Sequence, residues 1–203
     1  LPADQDGTWT GPLPTTNGYL GTVDISTLIT GSYTFTYTTT GTICPDESSS
    51  VTITVLEPPF AGDDGAVEFC SDGSAEDLFA SLGGIPEAGG TWSPALSSGS
   101  GIFDPAIDSA GTYTYTVASA GTCPDDTATV NVSITEAPDA GENVSVVVCS
   151  NDSNFDLFDA LDGTPDAGGT WDPPLTSGTN IFDPLVDAEG TYTYTVSATA
   201  PCT

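Results

Sequence analysis

The run Thr112-Tyr113-Thr114-Tyr115-Thr116-Val117 returns, with every number raised by 79, as Thr191-Tyr192-Thr193-Tyr194-Thr195-Val196. Tyr113, Tyr115 and Val117 alternate with three threonines. One face of the extended chain is therefore large and apolar and the other hydroxylated, the pattern of a half-buried β-strand. Cys44, Cys123 and Cys202 are also spaced by 79, as are Cys70 and Cys149. Residues 61–123 laid over 140–202 without a gap are identical at 34 of 63 positions, which puts every motif into a common frame.

That frame contains Asp77-Leu78-Phe79 with Asp156-Leu157-Phe158, Gly90-Thr91-Trp92 with Gly169-Thr170-Trp171, and Ile102-Phe103-Asp104-Pro105 with Ile181-Phe182-Asp183-Pro184. A third copy runs through the start of the chain, where Trp9, Tyr33 and Cys44 match Trp92, Tyr113 and Cys123. Trp9 to Cys44 is 35 residues against 31 in the next copy, which reads as a four-residue insertion in a loop. The phase falls at Pro59-Phe60-Ala61-Gly62 and Pro138-Asp139-Ala140-Gly141. Three repeats are expected: the C-terminal part of a first over 1–57, a complete second over 58–136, and a third over 137–203 that lacks its last strand. Both ends cut through a repeat, as expected of a piece of a longer array.

Short apolar runs split by Gly, Pro, Asp and Ser turns predict an all-β fold, a sandwich or a barrel in each repeat. Thr112–Val117 and Thr127–Ile134 form a hairpin around Gly121-Thr122-Cys123-Pro124-Asp125. Val67–Cys70 and Val144–Cys149 supply an early strand. Asp77 to Leu82 is one helical turn capped by Asp77, or a kinked strand. Trp92 in a mid-domain strand and the lead-in Asp108-Ser109-Ala110-Gly111-Thr112-Tyr113 suggest the tyrosine corner of an immunoglobulin-like sandwich. The expected whole is an elongated array of such sandwiches, each contacting only its neighbours.

Composition excludes much. The chain has no Lys, Arg, His or Met and 29 acidic residues, for a formal charge of -29. Without cations, side-chain ion pairs cannot form, and every carboxylate must be solvated, bonded to N–H or hydroxyl groups, or neutralised by an ion. Nucleic-acid binding lacks the Lys and Arg that neutralise phosphates. Attraction to anionic lipid heads fails likewise, and no apolar run is long enough to predict a membrane-spanning helix. Imidazole-assisted nucleophiles and Schiff-base lysines are impossible. Paired carboxylates, as in glycoside hydrolases, are the one familiar catalytic device remaining. Asp pairs recur with the repeat, which points to structure, so no enzyme is expected.

Few, regularly placed cysteines suit an oxidising compartment. Two pairings fit. Within repeats, Cys70–Cys123 and Cys149–Cys202 each close 53 residues, with Cys44 paired outside the chain. The chain-entropy model gives such a loop roughly 4 kcal/mol. Between repeats, Cys44–Cys70 and Cys123–Cys149 each close 26. The first closes each domain on itself and is preferred. For metal, Asp63, Asp64, Asp139 and Glu142 sit at the linkers, where calcium would find carboxylate and carbonyl oxygens, although Asp also forms ordinary turns. Asp104, Asp108, Asp183 and Asp187 read as turn and corner residues, and Trp9, Trp92 and Trp171 as core more than as sugar-stacking platforms.

The motifs Cys-Ser-x-Asp, Asp-Leu-Phe, Gly-Gly-Thr-Trp, Phe-Asp-Pro, Gly-Thr-Tyr-Thr-Tyr-Thr-Val and Cys-Pro-Asp-Asp together resemble the repeats of giant cell-surface proteins of gliding Bacteroidetes, the SprB-type gliding adhesins. The resemblance implies type IX secretion, display on the cell surface as long filaments, and adhesion during gliding. It also implies O-glycosylation at Asp-Ser/Thr-apolar sites, here Ser109 and Thr127, with the third repeat departing at Asp187-Ala188-Glu189. The expected role is an extracellular stalk or adhesin module. Its partners would be neighbouring repeats and a polysaccharide or abiotic surface. The alternative is a calcium-stiffened spacer without a ligand.

Overall fold

A computed structural model describes residues 7–40, 45–97, 99, 101–178 and 180–203. The chain is all-β, and the helical turns among the described residues are two short 3-10 segments, Gly18–Leu20 and Leu78–Ser81. Contacts group it into two compact units. One comprises Leu1–Ala61, Glu87–Gly89 and Val117–Asp126, the other Gly62–Pro86, Gly90–Thr116 and Thr127–Thr203.

The first repeat forms a three-stranded antiparallel sheet in which β2 (Gly31–Thr39) lies between β1 (Thr8–Thr10) and β3 (Glu47–Val55). Trp9 faces Tyr37 across β1 and β2. The outer face carries a hydroxyl ladder, with Thr34 and Thr52 bonded at 3.0 Å and Ser32 and Thr54 at 3.4 Å.

The second repeat contributes β4 (Gly65–Cys70), β5 (Glu76–Asp77), β6 (Thr91–Ser93), β7 (Ile102–Phe103), β8 (Gly111–Val117) and β9 (Asp126–Thr135). Four of these make a sheet in the order β4-β9-β8-β6, and β5 pairs with β7 in a second, two-stranded sheet. On β8, Tyr113, Tyr115 and Val117 are buried, as the alternation requires. On β9, Ala128, Val130 and Val132 are buried. Phe103 of β7, fully buried, stacks on Phe69 of β4 at 4.8 Å and meets Tyr113 edge-on at 5.7 Å, so the small sheet packs on the large one through aromatic rings. Both readings of Asp77 hold in part: β5 ends at Asp77, whose side chain then caps the 3-10 turn by accepting from Phe79 N at 3.0 Å.

The same pairings return in the third repeat. β10 (Phe155–Asp156) pairs with β12 (Ile181–Phe182), and β11 (Thr170–Asp172) with β13 (Thr193–Thr195). Val144–Cys149, expected as a strand, is not one, and Val144, Val146, Val147 and Val148 are exposed. The reason is a missing neighbour. Its counterpart β4 is held by parallel pairing to β9, and the positions matching β9, each number raised by 79, lie beyond residue 203. The core thins accordingly, leaving Leu175, Tyr194 and Cys202 as its buried apolar residues.

The insertion in the first repeat is not confined to a loop. Its corner tyrosine, Tyr33, precedes the tyrosine facing tryptophan, Tyr37, by four residues, where Tyr113 precedes Tyr115 by two. The two extra residues lie inside β2. Side chains alternate with period two, so an insertion of two leaves the faces intact, and Phe35 is buried between the tyrosines.

Candidate functional site

Without cations, backbone N–H groups hold the carboxylates. Asp108 is 7% exposed; its Oδ1 accepts from Ser97 N at 2.6 Å and its Oδ2 from Asp104 N at 3.0 Å. Asp187 repeats the arrangement, 7% exposed, accepting from Thr176 N at 2.6 Å and Asp183 N at 2.9 Å. Asp104 and Asp183 in turn cap Ala106 and Leu185, each at 3.0 Å. These are the corner residues expected from sequence, and they tie the loop after the Trp strand to the turn before the Tyr strand. The backbone N–H of Asp183, and then those of Thr176 and Ser177 with the Thr176 hydroxyl, hold the Asp187 carboxyl below the usual range. Burial, and then the negative charge of Asp108, raise the Tyr113 hydroxyl above its ordinary value. It therefore stays protonated and donates to Ser109 O at 2.8 Å. Tyr33 and Tyr192 make the same bond four residues back, to Ile29 O and Ala188 O.

Each tryptophan lies half-buried against a tyrosine. Ring centroids are 5.2 Å apart for Trp9–Tyr37, 5.1 Å for Trp92–Tyr115 and 5.0 Å for Trp171–Tyr194. The tyrosine hydroxyl accepts from the glycine two residues before the tryptophan: Gly7, Gly90 and Gly169. A Cβ on those glycines would lie 2.3, 2.5 and 2.5 Å from the ring, which explains the Gly-Thr-Trp motif. Each Trp thus packs on one tyrosine but is not fully buried, so the core reading holds in part. Nε1 of Trp9 donates to Tyr19 O at 3.0 Å, while Nε1 of Trp171 has no partner among the described residues.

Among the described residues, the linker carboxylates belong to no group of three or more with metal-ligand spacing. Asp63 pairs through its backbone with Gly83, and Glu142 with Asp162. Asp64 accepts from Thr129 N at 2.7 Å, and that bond, with the Thr129 hydroxyl, holds its carboxyl below the usual range. Asp139 accepts from Gly141 N at 2.7 Å and from the Thr164 hydroxyl at 3.2 Å. Among the described residues, the one cluster with metal-ligand spacing is Cys70, Asp72 and Cys202, and its two sulfurs are bonded to each other. Ser109 and Thr127, the expected glycosylation sites, are both exposed. Their preceding aspartates have structural partners: Asp108 as above, and Asp126, which accepts from Ala61 N at 2.8 Å.

The cysteines depart from both pairings foreseen. Cys70 is bonded to Cys202, 132 residues away, with Cα atoms 4.9 Å apart, while Cys123 and Cys149 are free. Cys44 lies outside the described residues. The reason lies in the sheet. β4 runs parallel to β9 and puts Cys70 beside Thr135, the last residue of β9. Cys123 precedes the first residue of β9, so the whole strand, ten residues and about 33 Å at 3.3 Å per residue, stands between them. At the Thr135 end the chain passes on into the third repeat, and the Cys202 sulfur lies 3.6 Å from both Thr135 O and Glu136 O. Ser71 completes this joint: its N–H donates to Thr135 O, and its hydroxyl accepts from Ala137 N. Parallel pairing of β4 with β9 is a non-local contact, and nothing in the local sequence pattern announces it.

A shallow surface depression over β4 and β9 is lined by Ala66, Val67, Glu68, Asn131, Val132 and Ser133. No helix among the described residues is long and apolar enough to cross a membrane. No protein-family model and no curated protein matches the chain.

Proposed function

We propose that this chain is a stretch of tandem immunoglobulin-like sandwiches from the stalk of an extracellular, cell-surface adhesive filament, and that its work is mechanical. The observation that carries the reading is the Cys70–Cys202 bond, which ties one repeat covalently to the next. The immunoglobulin likeness rests on topology. β6, β8 and β9 stand in the order of strands C, F and G, β5 with β7 stands as B with E, and Tyr33, Tyr113 and Tyr192 each make a tyrosine-corner bond. Surface location is supported by the disulfide, which suits an oxidising compartment. The all-acidic surface would keep neighbouring filaments apart over about a Debye length. With corner carboxylates held alike in the second and third repeats, and each tryptophan packed on a tyrosine, the chemistry favours scaffold over catalysis.

Adhesion would come from many weak contacts acting together. The test is binding of oxidised arrays of increasing repeat number to glass, agar polysaccharide and a glycan panel, in calcium and then in chelator. Saturable binding that strengthens with repeat number is the expected result. Binding to none of these surfaces would contradict the adhesive part of the reading and leave a spacer, and loss of binding in chelator would support calcium at the linkers.

A further inference from the structure

Cys70 and Cys149 are the same position of successive repeats, and so are Cys123 and Cys202. Call the first pair front cysteines and the second pair late ones. Among the described residues, the one disulfide joins the front cysteine of the second repeat to the late cysteine of the third. The turns that follow the two front cysteines are alike, although Cys70 ends a strand and Cys149 does not. The turn after Cys70 is closed by Gly73 N to Cys70 O at 2.9 Å, and that after Cys149 by Asp152 N to Cys149 O at 3.0 Å. Cys149 is nonetheless exposed and unbonded, and Cys123 is half-buried and unbonded.

We propose that Cys149 is the docking half of a repeating joint, and that its partner is the late cysteine of a following repeat of this same kind. By the same rule, Cys123 receives the front cysteine of a preceding repeat. The array is then interlocked: each repeat carries two bridges, one forward from its front cysteine and one back from its late cysteine. The inference rests on reading the chain as an array of repeats.

The consequence is mechanical. A short connecting stretch leads from each late cysteine to the next front cysteine, as 123–149 does from Cys123 to Cys149. Under tension the covalent path jumps from Cys70 to Cys202 and bypasses the chain between them. It then runs through one connecting stretch before the next jump, so a single such stretch extends for every two repeats. Bridges within single repeats would let one extend for every repeat, twice the slack. The chemistry needs an oxidant, for which a disulfide such as oxidised glutathione suffices. The Cys149 thiolate attacks it and releases one reduced glutathione. The late cysteine's thiolate then attacks the Cys149 sulfur and releases the second, so two thiols are oxidised as one disulfide is reduced.

The test is an extension in register. Residues 125–203 are appended again after Thr203, with Val147→Ile and Thr199→Ala made in the added copy alone so that its cysteine peptides differ in mass from the originals, and the added copy of Cys202 falls where the late cysteine of a fourth repeat belongs. The original and extended chains are refolded in a glutathione redox buffer, and their non-reduced peptides are mapped by mass spectrometry. Cys70–Cys202 is expected in both, and Cys149 joined to the added copy of Cys202 is expected in the extended chain alone. The proposal is overturned if the added copies of Cys149 and Cys202 join each other, if Cys149 joins Cys202, if Cys149 stays free, or if the original chain lacks Cys70–Cys202. None of these outcomes bears on whether arrays adhere, which the binding experiment decides separately.

Discussion

At Asp108 a buried carboxylate survives in a chain without a single basic side chain, because two peptide N–H groups face it. Removing the acceptor leaves those donors buried and unpaired, at a cost of about 1–3 kcal/mol. Asp108→Ala is therefore expected to lower unfolding stability by about that amount in denaturant titration, while Asp125→Ala, at an exposed turn, is expected to change it little. Asp187 carries the matching pH dependence. Its folded carboxyl titrates below the ordinary value, so its contribution is full above the unfolded pKa of about 3.9 and is lost as pH falls through the lower folded value. Melting temperatures of wild type and Asp187→Asn should converge as pH drops below about 4, and parallel curves would contradict this assignment. Gly90 has no room for a side chain, since a Cβ would meet the Tyr115 ring and Thr116 O at 2.5 Å. Gly90→Ala is expected to cost about 1–3 kcal/mol through overpacking, read by thermal unfolding together with loss of the tryptophan signal of a packed ring pair.

The strands are the elements that periodicity made legible. Alternation in Thr112–Val117 and Thr127–Ile134 anticipated β8 and β9 to within one residue at each end, because each buries one face and wets the other. The tyrosine corner and the Asp77 cap were legible for a different reason: their hydrogen bonds are local, within four residues. Illegible was everything that depends on distant partners. Val144–Cys149 has the composition of a strand, and composition cannot supply the neighbouring strand. Parallel pairing of β4 with β9 put Cys70 at the far end of β9 from Cys123 and so redirected the disulfide. A loop of 132 residues corresponds to about 5 kcal/mol in the chain-entropy model. Reduction, or Cys70→Ser, should lower stability by up to that amount, whereas Cys123→Ser should be near neutral in this chain. Equal effects of the two substitutions in denaturant titration would argue for pairing within the repeat.

Over the whole molecule, charge and covalent linkage act together. All charged side chains are of one sign, 29 of them, so copies of the chain repel one another within roughly 8–10 Å at physiological salt. Self-association, followed by light scattering, should rise as salt increases and be lowest in dilute buffer. Whether the repeats follow one another as a stalk is decided by small-angle X-ray scattering from oxidised arrays of three, five and seven repeats. For a stalk, the maximum dimension is expected to grow linearly by about 35 Å per repeat, close to the length of a ten-residue strand. A dimension rising only as the cube root of mass, as compact particles do, would contradict it.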